Sequence, residues 1–435
     1  MKRSLASVGL LLVASACHGG REFKSPENLS EWRAARVAQA AGPADDAFRA
    51  TPPGRAAATR PHATTPPTEV RHSNGIHVVM LERHEFPTIS AVLVLDRGSS
   101  AAGPGVAELY AESLLGNSDE YKANEAWPYL TFVGGSVWLE TYRDSITLEV
   151  SALSPLFVSA LSRAAPMFTA PSLDADDIDE ARTKLAAQHA GKGDRPADVV
   201  FDALHAAVFA SPHPYGTPIS GEAARLSQTA SGAARPAKAA GLVVSDDAVR
   251  AFRAAQLTAG HIGVAVVGDF KPASMQVILE KALGKVRTQG TASATPFTAI
   301  APKGGRKITL IDRPGAAQST VGIGWPGVRA SDPDLVTLDV LAGATAGDLS
   351  TRLNITVRKE LGATYGVQMH AVGLREAGLI RIATAIDTSR TVEALRGLFA
   401  ELERLRTEPL TPAELGAAKL RTYHDLERGS VRGLA

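Results

Sequence analysis

The sequence of 435 residues contains a single cysteine, Cys17, and almost no excess of either charge. One cysteine excludes an internal disulfide framework and a thiolate metal cluster. Lys and Arg number 46 against 45 Asp and Glu, so no overall field favours nucleic acid or another polyanion as a partner. The length allows two or three domains of ordinary size, each with a sizeable hydrophobic core.

Sequence motifs of several common enzyme classes are also missing. The chain has no G-x-S-x-G nucleophile elbow, no phosphate-binding loop of the Walker type and no dinucleotide-binding glycine fingerprint. His205 and His213 lie at apolar helix positions or near turns, where histidines are more often structural than catalytic. The residues outside the amino terminus therefore give no sign of a serine hydrolase or of a nucleotide-dependent enzyme.

The first seventeen residues have the layout of a secretory signal. Lys2 and Arg3 precede an apolar run over residues 5–14, which is too short to span a bilayer. Small residues then lead to Cys17 in the sequence ASAC, which resembles the lipobox of bacterial lipoproteins. Cleavage there leaves the cysteine as a lipid-bearing amino terminus, so it could not act as a nucleophile. A signal without lipidation, in which the cysteine is incidental, is the alternative.

Residues 18–67 are expected to form a disordered tether. They include AAGPADDAF and TPPGRAAATRPHATTPPT and show little periodic hydrophobicity, so they cannot bury enough surface to offset the entropy of ordering. His18 stands where lipoproteins retained at the inner membrane carry an Asp. We therefore expect a bacterial periplasmic protein that is held by its lipid at the outer membrane and touches the membrane only there.

From residue 68 onward one hydrophobic pattern occurs twice. Residues 68–288 contain strands, a helix, further strands and helices in that order, and residues 305–435 repeat it after a polar linker at 289–304. The repeat predicts an α+β fold of two similar α/β-sandwich halves, each a mainly antiparallel sheet covered by helices. The second copy stops early, so either this half is naturally short or the sequence is truncated.

A series of motifs resembles the pitrilysin/insulinase family of zinc peptidases over residues 68–435. A strand pair leads into the helix of GPGVAELYAESLLGN, and HPYGTPISG at 213–221, VVGDF at 266–270 and RKELGATYGV at 358–367 follow in the family's order. The resemblance implies that the two halves form half of a clam-shell chamber, which encloses unfolded peptides.

The family's zinc motif is degenerate in this sequence. The motif is H-x-x-E-H on the first helix, where two His bind zinc and the Glu is the general base. It falls on ELYAE, so Glu108 and Glu112 replace the ligands and Ala111 replaces the base. The remaining ligand, a Glu in the family, falls at Gln188 or His189. Such ligands would be atypical for zinc, and alanine cannot accept a proton from bound water.

The expectation for this chain is therefore no catalytic residue and no bound metal. The two glutamates are then expected on a solvated or cleft-facing side of the helix.

Arg358 and Tyr365 match the one functional pair of the family that this sequence retains. Arg358 lies in the last turn of a helix that ends near Gly362, and Tyr365 follows in a strand. In the family such a pair donates hydrogen bonds to a substrate carbonyl near the zinc of the other half, where donors stabilise an oxyanion. The alternative is structural, with Arg358 bound to Glu360 or the helix dipole and Tyr365 in the core.

The resemblance as a whole implies a non-catalytic subunit of a heteromeric zinc peptidase. Its partners are then a homologous subunit that holds the zinc and a peptide substrate. Two alternatives remain open: a catalytically inert scaffold or chaperone-like binding protein, and an active metallopeptidase with atypical ligands. A neighbouring gene that encodes a similar chain with an intact H-x-x-E-H motif would favour the subunit over the scaffold.

The lipid anchor predicts how the protein partitions. The full chain is expected in the membrane fraction, and Cys17→Ala is expected to release it into the soluble periplasm because no acylation site then remains. Fractionation without detergent, followed by immunoblotting, measures this. An unchanged membrane fraction for the variant would exclude the anchor.

Overall fold

The computed structural model describes residues 66–210, 213–221, 244–288 and 307–432. The expected signal peptide with Cys17, the tether up to residue 65 and the linker at 289–304 lie outside the described residues. The described residues all belong to one compact unit, residues 65–435. No helix in these ranges is both long enough and apolar enough to cross a membrane.

The first half is built on a six-stranded sheet. Its strands are β1 (Thr68–Arg71), β2 (His77–Glu82), β3 (Thr88–Leu95), β4 (Ser136–Thr141), β5 (Ile146–Leu153) and β6 (Ile262–Gly268). Their order is β1-β2-β6-β3-β5-β4, in which β2 and β6 run parallel and every other pair is antiparallel. Alternate residues of β5 and β6 are buried, as the period of two in a strand requires.

Seven helices accompany this sheet in the described part of the chain. They are α1 (Val106–Ser113), α2 (Ala123–Phe132), α3 (Ser154–Thr169), α4 (Ala175–Ala190), α5 (Pro196–Phe209), α6 (Asp246–Gln256) and α7 (Pro272–Leu283). A single hydrophobic core joins the sheet to all of them except α5. α4 has a capped amino terminus, because the Asp174 side chain accepts a hydrogen bond of 3.1 Å from the Asp177 N–H.

The second half repeats part of this arrangement. Its elements are β7 (Gln318–Gly327), α8 (Asp334–Ala346), a one-turn helix (Arg352–Asn354) that continues as a π-helix (Ile355–Glu360), β8 (Thr364–Gly373), β9 (Gly378–Asp387), α9 (Thr391–Thr407) and α10 (Pro412–Arg432). The strand order β7-β9-β8 is antiparallel throughout and matches β3-β5-β4. The predicted α+β fold with mainly antiparallel sheets is confirmed.

The two sheets differ at one edge. In the first sheet β6 lies beyond β3, whereas no strand among the described residues lies beyond β7. Ile308 and Leu310 precede β7 along the chain as β2 precedes β3, but they are 87% and 91% exposed. The outer edge of β7 is therefore unpaired within the part of the chain that the structure describes.

Helix α5 joins the two halves, because it belongs to the first along the chain and packs on β7 of the second. A Cβ atom at Gly322 would lie 2.6 Å from Val200 Cγ1, and one at Gly324 would lie 3.0 Å from Leu204 Cδ1. The first distance is too short for a Cβ atom and the second is tighter than most Cβ contacts, so the two glycines allow the helix to approach the strand closely.

The HPYG motif forms a second contact between the halves. Tyr215 is fully buried, and its hydroxyl donates to Asp144 Oδ1 at 2.7 Å, while its carbonyl accepts from Arg143 Nε at 3.1 Å. The turn between β8 and β9 docks here: the backbone N–H of Arg375 donates to Asp144 Oδ2 at 2.8 Å, and its guanidinium donates to the Asp96 carbonyl at 2.6 Å. The motif is thus a structural junction.

His205 lies at the same junction and stays neutral when folded. Its Nδ1–H donates to the Tyr215 carbonyl at 3.2 Å, and its ring packs against Phe201 and Phe209. Burial, assisted by the nearby Arg143, lowers the pKa of His205 from 6.5 to about 3. The protonated form is therefore strongly disfavoured in the folded protein.

This pKa predicts an acid-sensitive stability. The unfolded chain binds the proton below pH 6.5 and the folded chain does not until about pH 3, so the free energy of unfolding falls as the pH drops through this window. The slope due to His205 approaches about 1.4 kcal/mol per pH unit. His205→Asn, which keeps a donor and cannot titrate, is expected to remove that slope. Urea unfolding between pH 7.5 and 5 measures it, and parallel profiles for parent and variant would contradict the assignment.

Candidate functional site

The face of α1 that matches the zinc motif is engaged in contacts with α4. Glu108 and Glu112 lie one turn apart, so both point towards the same neighbour. The His189 Nε2–H donates to Glu108 Oε1 at 3.1 Å, and Lys184 Nζ forms an ion pair with Glu112. The two glutamate side chains are only 21% and 14% exposed. Of the two expected environments, a solvated side and a cleft-facing side of the helix, this low exposure does not fit the first.

Of the two residues considered for the third ligand position, the structure brings only His189 to this face. Gln188 is exposed on α4, whereas His189 is half-buried against α1. Adjacent helical residues point about 100° apart, so a shift of one position decides which side chain reaches the partner helix. Of the two candidate positions, only His189 thus contacts the zinc-motif face of α1.

The residues present do not fit a catalytic zinc. Each glutamate already has a cationic or hydrogen-bonding partner, and Ala111, at the position of the general base, is buried in the core. Within the ranges that the structure describes, no group of three or more His, Cys, Asp or Glu is arranged to hold a metal ion. This face can therefore brace two helices, but it cannot activate water.

The second candidate site brings Arg358 and Tyr365 together. The Arg358 guanidinium carbon lies 4.5 Å from the centroid of the Tyr365 ring, in a cation–π contact. Tyr365 is 84% exposed, so it is not the core residue of the structural alternative. Among the described residues Arg358 forms no ion pair with Glu360. The pair is thus presented on the surface.

Irregular backbone places both side chains. Arg358 lies in the π-helix, which is followed by Gly362 at a φ of +59°, the left-handed conformation that glycine often adopts after a helix. Tyr365 and Gly366 lie in a β-bulge, since the pairing of β8 with β9 shifts between Thr364 and Val367. π-Helical turns and β-bulges are both frequent at functional sites, where they redirect side chains.

The start of the segment that carries Arg358 is held firmly. Arg352, which is almost fully buried, donates from Nε to Glu414 Oε1 at 2.7 Å and from Nη2 to Glu414 Oε2 at 3.0 Å. Hydrogen bonds from Arg352 and from the Thr411 N–H lower the pKa of Glu414 to about 2. A bidentate pair of this kind fixes geometry as well as charge, so the segment is anchored to the start of α10.

Family models of known proteins match both halves of the chain. One described as "Insulinase (Peptidase family M16)" matches residues 78–221, and one described as "Peptidase M16 inactive domain" matches residues 244–421. The chain belongs to the M16 peptidase family. The first M16 match contains the degenerate zinc motif, and the second contains Arg358 and Tyr365. The resemblance to the insulinase family found in the sequence is thus confirmed.

Relatives and solved structures agree with the M16 assignment. An uncharacterized zinc protease of Mycobacterium tuberculosis is 24% identical over 389 residues, which cover 88% of this chain and 82% of that protein. A peptidase M16 inactive domain from Pseudomonas fluorescens has a TM-score of 0.71 at 22% identity and covers 84% of each chain. A protease from Helicobacter pylori has a TM-score of 0.71 at 17% identity, covering 83% of this chain and 85% of that chain. These structures support the fold.

The geometry of the α1 face predicts an inert isolated chain. We expect the purified protein to bind no stoichiometric zinc and to cleave no peptide, because the ligand positions are occupied by other contacts and the base position is Ala111. Metal analysis by mass spectrometry and a quenched-fluorescent peptide assay, each with and without added zinc, measure this. Chelator-sensitive cleavage by the isolated chain would contradict it.

Proposed function

We propose that this chain is the non-catalytic subunit of a heteromeric zinc peptidase and contributes Arg358 and Tyr365 to the binding of substrate. The observation that carries the proposal is the stack of the half-buried Arg358 on the exposed Tyr365 ring in the second half. In the first half, by contrast, Glu108 and Glu112 fill the zinc-motif face with contacts to α4. A purely structural pair would gain stability from burial, and Tyr365 is exposed.

The stacked arrangement suits donation to a carbonyl oxygen. A guanidinium that lies over an aromatic ring uses its face for the ring and keeps its N–H groups at the edge. Within the described residues the Arg358 guanidinium makes no hydrogen bond or ion pair, so its N–H groups are available to a ligand. The Tyr365 hydroxyl adds a second donor on the same surface. Two such donors would stabilise the oxyanion that develops when a peptide carbonyl is attacked.

Extended peptides are the substrate class that the surrounding surface favours. β4 is an edge strand of its sheet and carries an exposed aromatic side chain, Trp138 at 64%. An extended peptide can add to such an edge through main-chain hydrogen bonds, while side chains contact its alternate residues. We therefore propose unfolded peptides or small proteins as substrates, bound in a chamber that the partner completes.

The remaining parts of the proposal concern the partner and the location. The partner is a homologous chain with an intact H-x-x-E-H motif, and any zinc of the complex is bound by that chain. Acylated Cys17 anchors the complex in the periplasm at the outer membrane. A catalytically inert scaffold would have the same fold without needing the Arg358–Tyr365 pair. Whether turnover requires the pair therefore distinguishes the two functions.

Substitution of the pair provides the test. In a complex reconstituted with the zinc-bearing homologue, Tyr365→Phe and Arg358→Ala are expected to lower kcat for a quenched-fluorescent β-casein peptide while leaving assembly unchanged. Loss of one oxyanion donor typically costs a factor of about a hundred to a thousand in kcat. Tyr365→Phe keeps the ring and removes only the hydroxyl.

A second Arg–Tyr stack supplies the control. Arg163 lies 4.4 Å from the ring centroid of Tyr129 on the first half, so Tyr129→Phe makes the same chemical change away from the proposed site. This variant is expected to keep full turnover. Full turnover in an assembled complex that carries Tyr365→Phe would instead favour the scaffold.

A further inference from the structure

A buried amide lies between the two elements that carry the Arg358–Tyr365 pair. Asn354 ends the one-turn helix directly before the π-helix with Arg358, and only 2% of its surface is exposed. A polar side chain buried this deeply is costly unless its donor and its acceptor are both satisfied. Its hydrogen-bond partners therefore indicate why an asparagine is there.

Both ends of the Asn354 amide bind the same residue of β8. Its Oδ1 accepts from the Val367 N–H at 2.8 Å, and its Nδ2 donates to the Val367 carbonyl at 3.0 Å. A carboxamide has the same donor and acceptor as a peptide group, so Asn354 takes the place of a neighbouring strand at this point of the edge. An apolar side chain there would leave two buried backbone groups without partners.

The hydrogen bonds between Asn354 and Val367 matter because of where Val367 lies in β8. Val367 is the first residue that pairs regularly with β9 after the bulge, opposite Thr384, and Tyr365 is two residues before it. Arg358 is four residues after Asn354, about one helical turn further along the chain. The amide thus joins the helical segment with Arg358 to the point where the bulge with Tyr365 ends.

We propose that Asn354 is the positioning residue for this pair, which holds the Arg358 guanidinium over the Tyr365 ring. Arg352 fixes the start of the helical segment to Glu414, and Val357 packs in the same core as Val367. Among the described residues, Asn354 makes the side-chain hydrogen bonds that join the segment to the strand beside the bulge. The effect of Asn354 on turnover rests on the proposed function of the pair. Its effect on the geometry of the pair does not.

The geometric effect is measured without any substrate. The full chain is labelled isotopically at arginine and studied by NMR. The ring current of Tyr365 is expected to shift the Nε–H resonance of Arg358. The variant Arg358→Lys, which lacks this resonance, assigns it. Tyr365→Leu is expected to remove this shift. Asn354→Leu, which keeps the buried volume, and Asn354→Ser, which is too short to reach both groups of Val367, are expected to remove it as well.

Asn74 supplies a matched control in the first half. Its Oδ1 accepts from the Ile76 N–H at 3.3 Å and its Nδ2 donates to the Leu283 carbonyl at 3.0 Å, so it also joins two segments through one amide. Asn74→Leu is expected to keep the ring-current shift. Retention of the shift in a folded Asn354→Leu or Asn354→Ser variant would overturn the proposal.

Turnover of the reconstituted complex separates this inference from the proposed function. Asn354→Leu is expected to lower kcat about tenfold with little change in KM, the scale of one misplaced charged donor. Because Asn354 acts through the pair, no further loss is expected when Asn354→Leu is added to Arg358→Ala. Additive losses would assign Asn354 a general structural role and overturn the positioning.

If Arg358→Ala and Tyr365→Phe keep full turnover while the ring-current shift depends on Asn354, the proposed function fails and the positioning stands.

Discussion

The hydrogen bond from the Tyr215 hydroxyl to Asp144 lies at the polar junction of the two halves, and the arrangement of the halves depends on it together with the packing of α5 on β7. Asp144 also accepts from Ser100 and from the backbone of Arg375, so one carboxylate joins a loop of the first sheet to the turn between β8 and β9. β8 begins beside Tyr365 and ends at this turn. The position of the Arg–Tyr pair relative to the first half therefore follows from a contact at the opposite end of the same strand.

On the α1 face, the contact between α1 and α4 is present although the residues of the zinc motif are replaced. A zinc ion bound by α1 and α4 would join the two helices, and here the contacts of Glu108 with His189 and of Glu112 with Lys184 join them instead. Partly exposed ion pairs contribute modestly to stability, typically up to about 1 kcal/mol each. This small contribution is sufficient to join α1 and α4, because the packing of the large core beneath them, rather than the ion pairs, holds the sheet and helices together.

The sequence allowed much of the fold to be predicted, because hydrophobic periodicity and the internal repeat are local signals. The cap at Asp174 and the left-handed Gly362 were predictable from residue type and position. The choice between Gln188 and His189 was not, because it depends on the exact rotation of α4 against α1. The packing of α5 on the second sheet was also missed, because it depends on close approach at Gly322 and Gly324, which are far away in the chain.

The roles of individual polar residues were the hardest to predict. Asn354 interrupts an apolar pattern, which is a signal in itself, but its partner Val367 becomes evident only when the bulge in β8 is seen. The bulge and the π-helix each insert one residue into a regular element, and periodicity averages over such an insertion. Irregular backbone at a site is therefore the part of a structure that pattern analysis is least able to find.

The unpaired outer edge of β7 has a consequence for the behaviour of the protein in solution. A strand edge with unpaired N–H and C=O groups is a template for another strand, and no strand of the described residues pairs with this edge. Pro326 removes one donor from β7, and Gly322 and Gly324 weaken its β-propensity, so the strand carries features that oppose such pairing.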